Sequence, residues 1–447
     1  MDCCRPTQHR ASSQSQSVVS QSSGQSVGQS ASLRPATIVP CPPPPTSHIN
    51  TLPSTIIHCL HRKLSLALIQ YIKIMIPNKE FYGVDHVTFW VGNALQAATW
   101  YTARLGFETI AYRGLENGDR QYSTHVVRQG RITLAFTSAL DPQDHEFARH
   151  MRMHGDGVKD IAFSVSNVHL TYNEAILAGA QPIHPPRTHH DANGSLTIAT
   201  IASAYGDTTH TFVERSKYDG AFLPGYEVAK HRDPLAMLTP PIGLLDIDHI
   251  VSNHPENHME RIAQWYEQVL NFHRFWSIDD KSLNTEFSSM RTIAVTDDHE
   301  RVKLPLNEPA SGKRKSQIQE YVDYYAGSGV QHIALTTDNI IESAINLRKR
   351  GIQFLNIPTE YYTALRKKLA TASIKVREDI DVLEQLQILV DYDDKGYLLQ
   401  IFTKNAQDRP TVFFEIIQRN NFNGFGAGNF KALFEAVERE QLKRGNQ

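Results

Sequence analysis

GVQHIALTTDN, residues 329–339, is a β-prone run with one polar residue at a fixed place, and the same design occurs three more times. The other copies are GVDHVTFWV (83–91), GVKDIAFSVSN (157–167) and DIDHIVSN (246–253). Their aligned polar positions are His86, Asp160, His249 and His332, spaced 74, 89 and 83 residues apart. Alternating and β-branched neighbours favour strands there. A helical pattern follows each run, in two flavours. WYTARLGF (100–107) and WYEQVLNF (265–272) follow the first and third, and AILAGAQPI (175–183) and NLRKRGIQF (346–354) the second and fourth. Gly179 and Gly351 each lie 19 residues past their aligned polar position, where a glycine stops a helix before the next strand. Further strand-like runs are SLTIATIA (195–202), HTFVE (210–214), YLLQIFT (397–403) and TVFFEII (411–417).

This repetition predicts an α+β chain of four βαβββ modules paired into two open, barrel-like halves. Pro224, Gly225, Pro234, Pro240 and Pro241 interrupt any regular element between 216 and 245, which sets the halves at 75–235 and 236–447.

One position per strand can be aimed into the concave face of a curved sheet. In the second half that position holds His249 and His332, which a pseudo-twofold axis would bring face to face. Glu415 lies in TVFFEIIQR between Phe413, Phe414, Ile416 and Ile417. An ionised carboxylate in so apolar a strand costs several kcal/mol unless compensated, and a divalent cation compensates it. Two imidazoles and one carboxylate leave up to three coordination positions open, a set suited to non-haem Fe(II) and O2. A lone strand histidine is more often a hydrogen-bonded core residue than a ligand; the shared register is what moves these three to the metal.

In the first half Asp160 replaces the second histidine. VER (213–215) follows a strand comparable to LLQIFTK, and no strand like TVFFEII comes after it. That half is therefore expected to lack a complete metal site and to act as a structural platform. His145, His150 and His154, with His189 and His190, sit in polar connections and are expected on the surface.

Forty-five basic against 47 acidic residues give a net charge of -2, no field for gathering nucleic acid or anionic lipid. The four cysteines, Cys3, Cys4, Cys41 and Cys59, all precede residue 60, so any metal bound further on must be held by nitrogen and oxygen. Residues 1–74 carry six Lys/Arg against Asp2 alone and are Ser/Gln- and Pro-rich, the composition of a disordered extension. The segment superficially suggests an organelle transit peptide, but the reading preferred is a non-essential extension with Met75 as a start. Its apolar run from Leu64 to Ile76 is broken by Lys73 and too short to span a bilayer.

At the C-terminal end GFGAGNF places three glycines in seven residues, a choice that suits a hinge better than packing. Phe430, Leu433, Phe434 and Val437 then fall at i, i+3, i+4 and i+7, an amphipathic helix. The pattern predicts a lid helix over about 428–445 that excludes water from the metal.

With these blocks assembled, the chain closely resembles the 4-hydroxyphenylpyruvate dioxygenase family of the vicinal-oxygen-chelate superfamily over about residues 80–445. The blocks that carry the resemblance are DHIVSN, LNEPASGKRKSQIQEYVDYYAGSGVQHIALTTDNI, LLQIFTK, FFEIIQR and NGFGAGNFKALFEAVE. The resemblance implies Fe(II) on His249, His332 and Glu415, and a polar pocket side of Asn307, Gln317, Gln331 and Gln400. It also implies pocket aromatics at Phe402, Phe413, Phe425 and Phe430, with Phe402 and Phe430 on either side of the substrate ring. Gly426 and Asn429 match the segment before the closing helix. Thr292, 15 residues before the pocket asparagine, departs from the serine of many members but keeps the hydroxyl.

The implied reaction converts 4-hydroxyphenylpyruvate and O2 to homogentisate and CO2, a step of tyrosine and phenylalanine catabolism. The 2-oxo acid is part of the substrate, so no separate 2-oxoglutarate is needed. The resemblance further implies a cytoplasmic homodimer with small-molecule partners and no nucleic acid or membrane. Competing readings are benzylic hydroxylation of the same substrate, as in hydroxymandelate synthase, and a non-catalytic binding protein of the same fold. An isomerase or extradiol dioxygenase on this scaffold would not need the block from Pro305 to Tyr321.

Overall fold

An asparagine follows three of the four repeated strands. In the computed structural model each one caps the next helix, Asn93, Asn167 and Asn339 accepting the backbone N–H of Gln96, Leu170 and Glu342. Such a cap stabilises a helix by about 1 kcal/mol and fixes where the strand ends. The structure describes residues 79–446 apart from 231–232, 235–237, 279–288, 311 and 313. The N-terminal extension, its apolar run and Met75 lie outside the described residues.

The first half runs β1 (Phe81–Trp90), α1 (Ala94–Leu105), β2 (Glu108–Arg113), β3 (Tyr122–Gln129) and β4 (Ile132–Ala139), then α2 (His145–His154). It continues through β5 (Gly157–Val165), α3 (Val168–Leu177), β6 (Pro182–Asp191), β7 (Gly194–Ala202), β8 (Thr209–Tyr218) and the short β9 (Glu227–Val228). The second half opens with β10 (Leu244–Asn253), α4 (Met259–Trp265), β11 (His273–Ile278), β12 (Ser289–Thr296), β13 (Lys303–Ala310) and α5 (Gln317–Tyr325). It ends with β14 (Gly329–Thr337), α6 (Ile340–Lys349), α7 (Thr359–Leu369), α8 (Ile380–Leu386), β15 (Leu389–Tyr392), β16 (Tyr397–Phe402), β17 (Phe413–Asn420) and α9 (Phe430–Arg444).

The doubled Leu-x-Phe signature has a backbone cause. α4 runs into a single π turn, Tyr266–Leu270, and Asn271 then takes φ 60°, while Gly106 after α1 takes φ 71°. Both positions need the left-handed conformation that glycine adopts freely and asparagine tolerates. The phenylalanine that follows each, Phe107 and Phe272, is buried.

Two sheets result. Their strand orders are β6-β7-β8-β5-β1-β4-β3-β2-β9 and β11-β12-β13-β10-β14-β17-β16-β15, and the second read backwards superposes on the first eight strands of the other. Within each module the first strand pairs in parallel with the last, β1 with β4, β5 with β8, β10 with β13 and β14 with β17. The two first strands of each half pair antiparallel, β1 with β5 and β10 with β14. The fold is thus four βαβββ modules in two curled halves. One apolar core threads both, with Phe81 edge-on to Phe272 at 5.1 Å and the His210 imidazole 2.8 Å from the Tyr266 hydroxyl.

Register corrects two sequence readings. β8, which carries VER, is the counterpart of β17 rather than of β16: β5 and β8 match Ala162 with Thr211 as β14 and β17 match Ala334 with Glu415. A strand like TVFFEII is therefore present in the first half, with Thr211 where the other half has Glu415. The sequence hides it because the acid is gone and only the arginine four residues on, Arg215 or Arg419, keeps the pattern. His150 and His154 are not surface residues either. At i and i+4 on α2 they share an inward face, with 1% and 4% exposure.

Candidate metal centre and its pocket

Register on the inner face of the second sheet gathers three side chains from distant segments. His249 stands on β10, His332 on β14 and Glu415 on β17, and their donor atoms lie within 4.8 Å of one another. The Nε2 atoms of the two imidazoles point at the same Glu415 oxygen, Oε2, at 3.3 and 3.5 Å. The other oxygen, Oε1, accepts a 2.7 Å hydrogen bond from Gln400 Nε2. Each ring is steered from its far side: Nδ1–H of His249 donates to Asp248 at 2.7 Å and that of His332 to Gln331 at 3.0 Å. Both Nε2 lone pairs are thereby left for a shared cation, the tautomer a metal site requires.

The electrostatics agree with that assignment. Burial alone would raise the Glu415 pKa, but the facing imidazoles hold it down to about 2. Burial opposes a charge on His249, yet the Glu415 and Asp248 carboxylates outweigh it and raise its pKa. On His332 burial prevails over Glu415 and its pKa falls. An ionised, buried carboxylate between two imidazoles is a donor set that fits a divalent transition metal. A second group, His150, His154 and Asp207, also clusters within 4.8 Å. There Lys159 stands 3.7 Å from the Asp207 carboxylate and 2.7 Å from its backbone oxygen, so that acid is compensated without a metal.

The triad opens into a cavity lined mainly by aromatic and amide side chains. Of the pocket residues expected from the resemblance, Thr292, Asn307, Gln317, Gln331, Gln400, Phe402, Phe413, Phe425 and Phe430 all line it. The 15-residue spacing of Thr292 and Asn307 has a simple cause, since they stand directly opposite across β12 and β13. Asn307 donates to Asn253 at 3.2 Å. Phe413 stacks on His332 at 4.7 Å and Phe425 packs edge-on against His249 at 5.1 Å. Leu433 and Phe434 from α9 also line the cavity, and Val251, Met290 and Pro305 complete its apolar wall. These last three carried no sequence signal beyond hydrophobicity.

Asn429 is not in the wall. It sits behind Gln400, donating to Gln400 Oε1 at 2.9 Å, and it accepts from the Tyr361 hydroxyl at 2.7 Å. Gln400 therefore commits its amide to Glu415 and Asn429, and Gln331 commits its oxygen to His332. Both help to hold Glu415 and His332 in place as well as to face the cavity.

The first half preserves the frame without the ligands. His86 Nδ1 bonds Asp85 at 2.6 Å as His249 bonds Asp248, and Arg215 clamps Asp85 as Arg419 clamps Asp248. Phe222 packs edge-on to His86 at 4.8 Å, matching Phe425 on His249. The remaining two ligand positions hold Asp160, hydrogen-bonded by Thr209 and Thr211, and Thr211 itself.

The chain matches the model of the Glyoxalase/Bleomycin resistance protein/Dioxygenase superfamily over residues 83–202 and 246–401, one span in each half. It is 62% identical over 364 residues to a 4-hydroxyphenylpyruvate dioxygenase of Dictyostelium discoideum, covering 81% of this chain and 99% of that protein. With the enzyme of the same name from Tetrahymena thermophila it shares 56% over 372 residues, 82% of this chain and 92% of the other. Among solved structures, a triple mutant of 4-hydroxymandelate synthase from Streptomyces coelicolor aligns with a TM-score of 0.70 at 31% identity, covering 80% of this chain and 98% of that one. The chain belongs to this superfamily and, within it, to the 4-hydroxyphenylpyruvate dioxygenase family. No helix among the described residues is long and apolar enough to cross a membrane.

Proposed function

We propose that the chain is an Fe(II)-dependent dioxygenase that converts 4-hydroxyphenylpyruvate and O2 to homogentisate and CO2. The observation that carries this reading is the convergence of two imidazole Nε2 atoms on one oxygen of Glu415, at the floor of an aromatic cavity. His249, His332 and Glu415 would hold the ferrous ion. When bound, that ion would supply O2 activation and would take up the carboxylate and keto oxygen of the substrate.

The chain's own groups then position and shelter the reactants. Phe402 and Phe430 flank the substrate ring, and Phe413 and Phe425 wall it in while buttressing His332 and His249. Asn307, Gln317 and Gln331 meet the phenol. As amides they donate and accept hydrogen bonds without adding a titrating charge beside the metal. Gln400 fixes Glu415 through Oε1 and leaves Oε2 for the cation. Leu433 and Phe434 of α9 cover the cavity, which keeps water from the oxidising step. The family resemblance extends the proposal to a cytoplasmic homodimer acting in tyrosine catabolism.

Anaerobic loading with Fe(II), followed by 4-hydroxyphenylpyruvate and O2, tests the reading. It predicts equal amounts of homogentisate and CO2. A 4-hydroxymandelate product would transfer the chain to benzylic oxidation, and stoichiometric iron without turnover would make it a binding protein.

A further inference from the structure

Behind Glu415 runs a file of hydrogen bonds through Gln400 and Asn429 to Tyr361, with side branches to Phe425 O and Val390 O. The carboxylate can only accept, so Gln400 must present its Nε2 to Oε1, at 2.7 Å. Gln400 Oε1 then faces Asn429, which presents its Nδ2 at 2.9 Å. The Asn429 oxygen is left toward α7, where the Tyr361 hydroxyl lies 2.7 Å away, closer than that hydroxyl's other acceptor, Val390 O at 3.0 Å. That hydroxyl is held from its other side, accepting the Val390 N–H at 2.8 Å. Glu415, Gln400 and Asn429 are each about 1% exposed, so no solvent stands in for a missing partner. Gly426 confines the file, since a Cβ there would lie 2.0 Å from Gln400 Oε1.

We infer that Tyr361 is a positioning residue for the metal centre, holding the Asn429 and Gln400 amides in the one orientation that offers an N–H to Glu415. Without its hydroxyl, Asn429 loses the donor on its oxygen and can turn over, and Gln400 Oε1 loses its N–H partner, leaving Gln400 held only by Glu415 at 2.7 Å and Phe425 O at 3.3 Å. A turned Gln400 sets a carbonyl against the Glu415 carboxylate and swings that ligand off its aim. Because Asn429 immediately precedes α9, the same file ties the start of the lid to the metal carboxylate. Tyr361 never touches substrate or metal; it acts through two amides. This inference rests on Glu415 being a ligand.

The test compares Tyr361→Phe with Tyr362→Phe in the full-length, metal-free chain, using Co(II) as probe. Tyr362 is the matched control: its buried hydroxyl donates to Ile388 O at 3.1 Å and leads nowhere near the metal. Partners outside the ligand shell typically change metal affinity about 10- to 100-fold, and at two amides' remove we expect a Co(II) dissociation constant raised about 3- to 10-fold in Tyr361→Phe. Its visible ligand-field bands should shift, while Tyr362→Phe keeps the parent constant and spectrum. Unchanged constant and bands in Tyr361→Phe, or equal changes in both variants, would overturn the inference alone. Parent-like Co(II) binding by Glu415→Ala would overturn the ligand assignment beneath it.

Discussion

Arg419 grips Asp248 with two hydrogen bonds of 2.7 Å, Nε to Oδ2 and Nη2 to Oδ1, and Asp248 in turn steers His249. The first half repeats this clamp with Arg215 on Asp85, at 2.5 and 2.7 Å, behind a histidine with no complete ligand set around it. Removing either arginine strands a buried carboxylate, which costs about 3–5 kcal/mol. Arg419→Met and Arg215→Met should therefore lower stability alike in denaturant titrations. Only Arg419→Met should also weaken iron binding, by about 10- to 100-fold. Equal iron loss in both would show that the clamp serves stability and not ligand aim.

Gly426 has φ 78° and no room for a side chain beside Gln400. Gly426→Ala should push Gln400 away from Glu415 and lower kcat about 100-fold, the scale of a misplacement near 1 Å. Gly445, also left-handed at φ 73° but in open space, should accept alanine with little effect on kcat. Steady-state kinetics of the two variants decide this.

Much of this arrangement was legible in the chain. His249 and His332 share a strand position, Glu415 interrupts an apolar run, and Gly179 and Gly351 end equivalent helices at φ 101° and 84°. What could not be read depended on partners far away in sequence. Thr211 gives no hint that it occupies the place of Glu415, because a lost acid leaves nothing to recognise. His150 and His154 looked exposed among charged neighbours, although a four-residue spacing already put them on one helical face. Tyr361 and Asn429 are 68 residues apart, and only the packing of α7 against the start of α9 brings them together.

His210 is buried at the junction of the halves, where burial lowers its pKa to about 4. Its Nε2 lies 2.8 Å from the Tyr266 hydroxyl, an arrangement that suits the neutral ring as acceptor. The unfolded chain takes up this proton near pH 6.5, the folded chain only near 4. Between those values the unfolded state binds more protons, so stability falls as pH drops. His210 contributes up to about 3 kcal/mol to that fall. Unfolding free energies from pH 7 to 4 should slope less in His210→Gln than in the parent, and parallel slopes would exclude the effect.

Phe430, Leu433 and Phe434 of α9 line the pocket, and a lid helix there would move aside as substrate enters. Limited proteolysis should cut between Gly424 and Gly428 in the free enzyme and slow markedly when a 2-oxo-acid analogue fills the site. Unchanged cutting would argue against a moving lid.

Glu415 is the residue on which the metal centre most directly depends. Glu415→Ala, loaded anaerobically with Fe(II) and then given 4-hydroxyphenylpyruvate and O2, should release neither CO2 nor homogentisate while keeping the parent circular dichroism spectrum. Parent-level turnover in that variant would contradict the assignment of the metal centre.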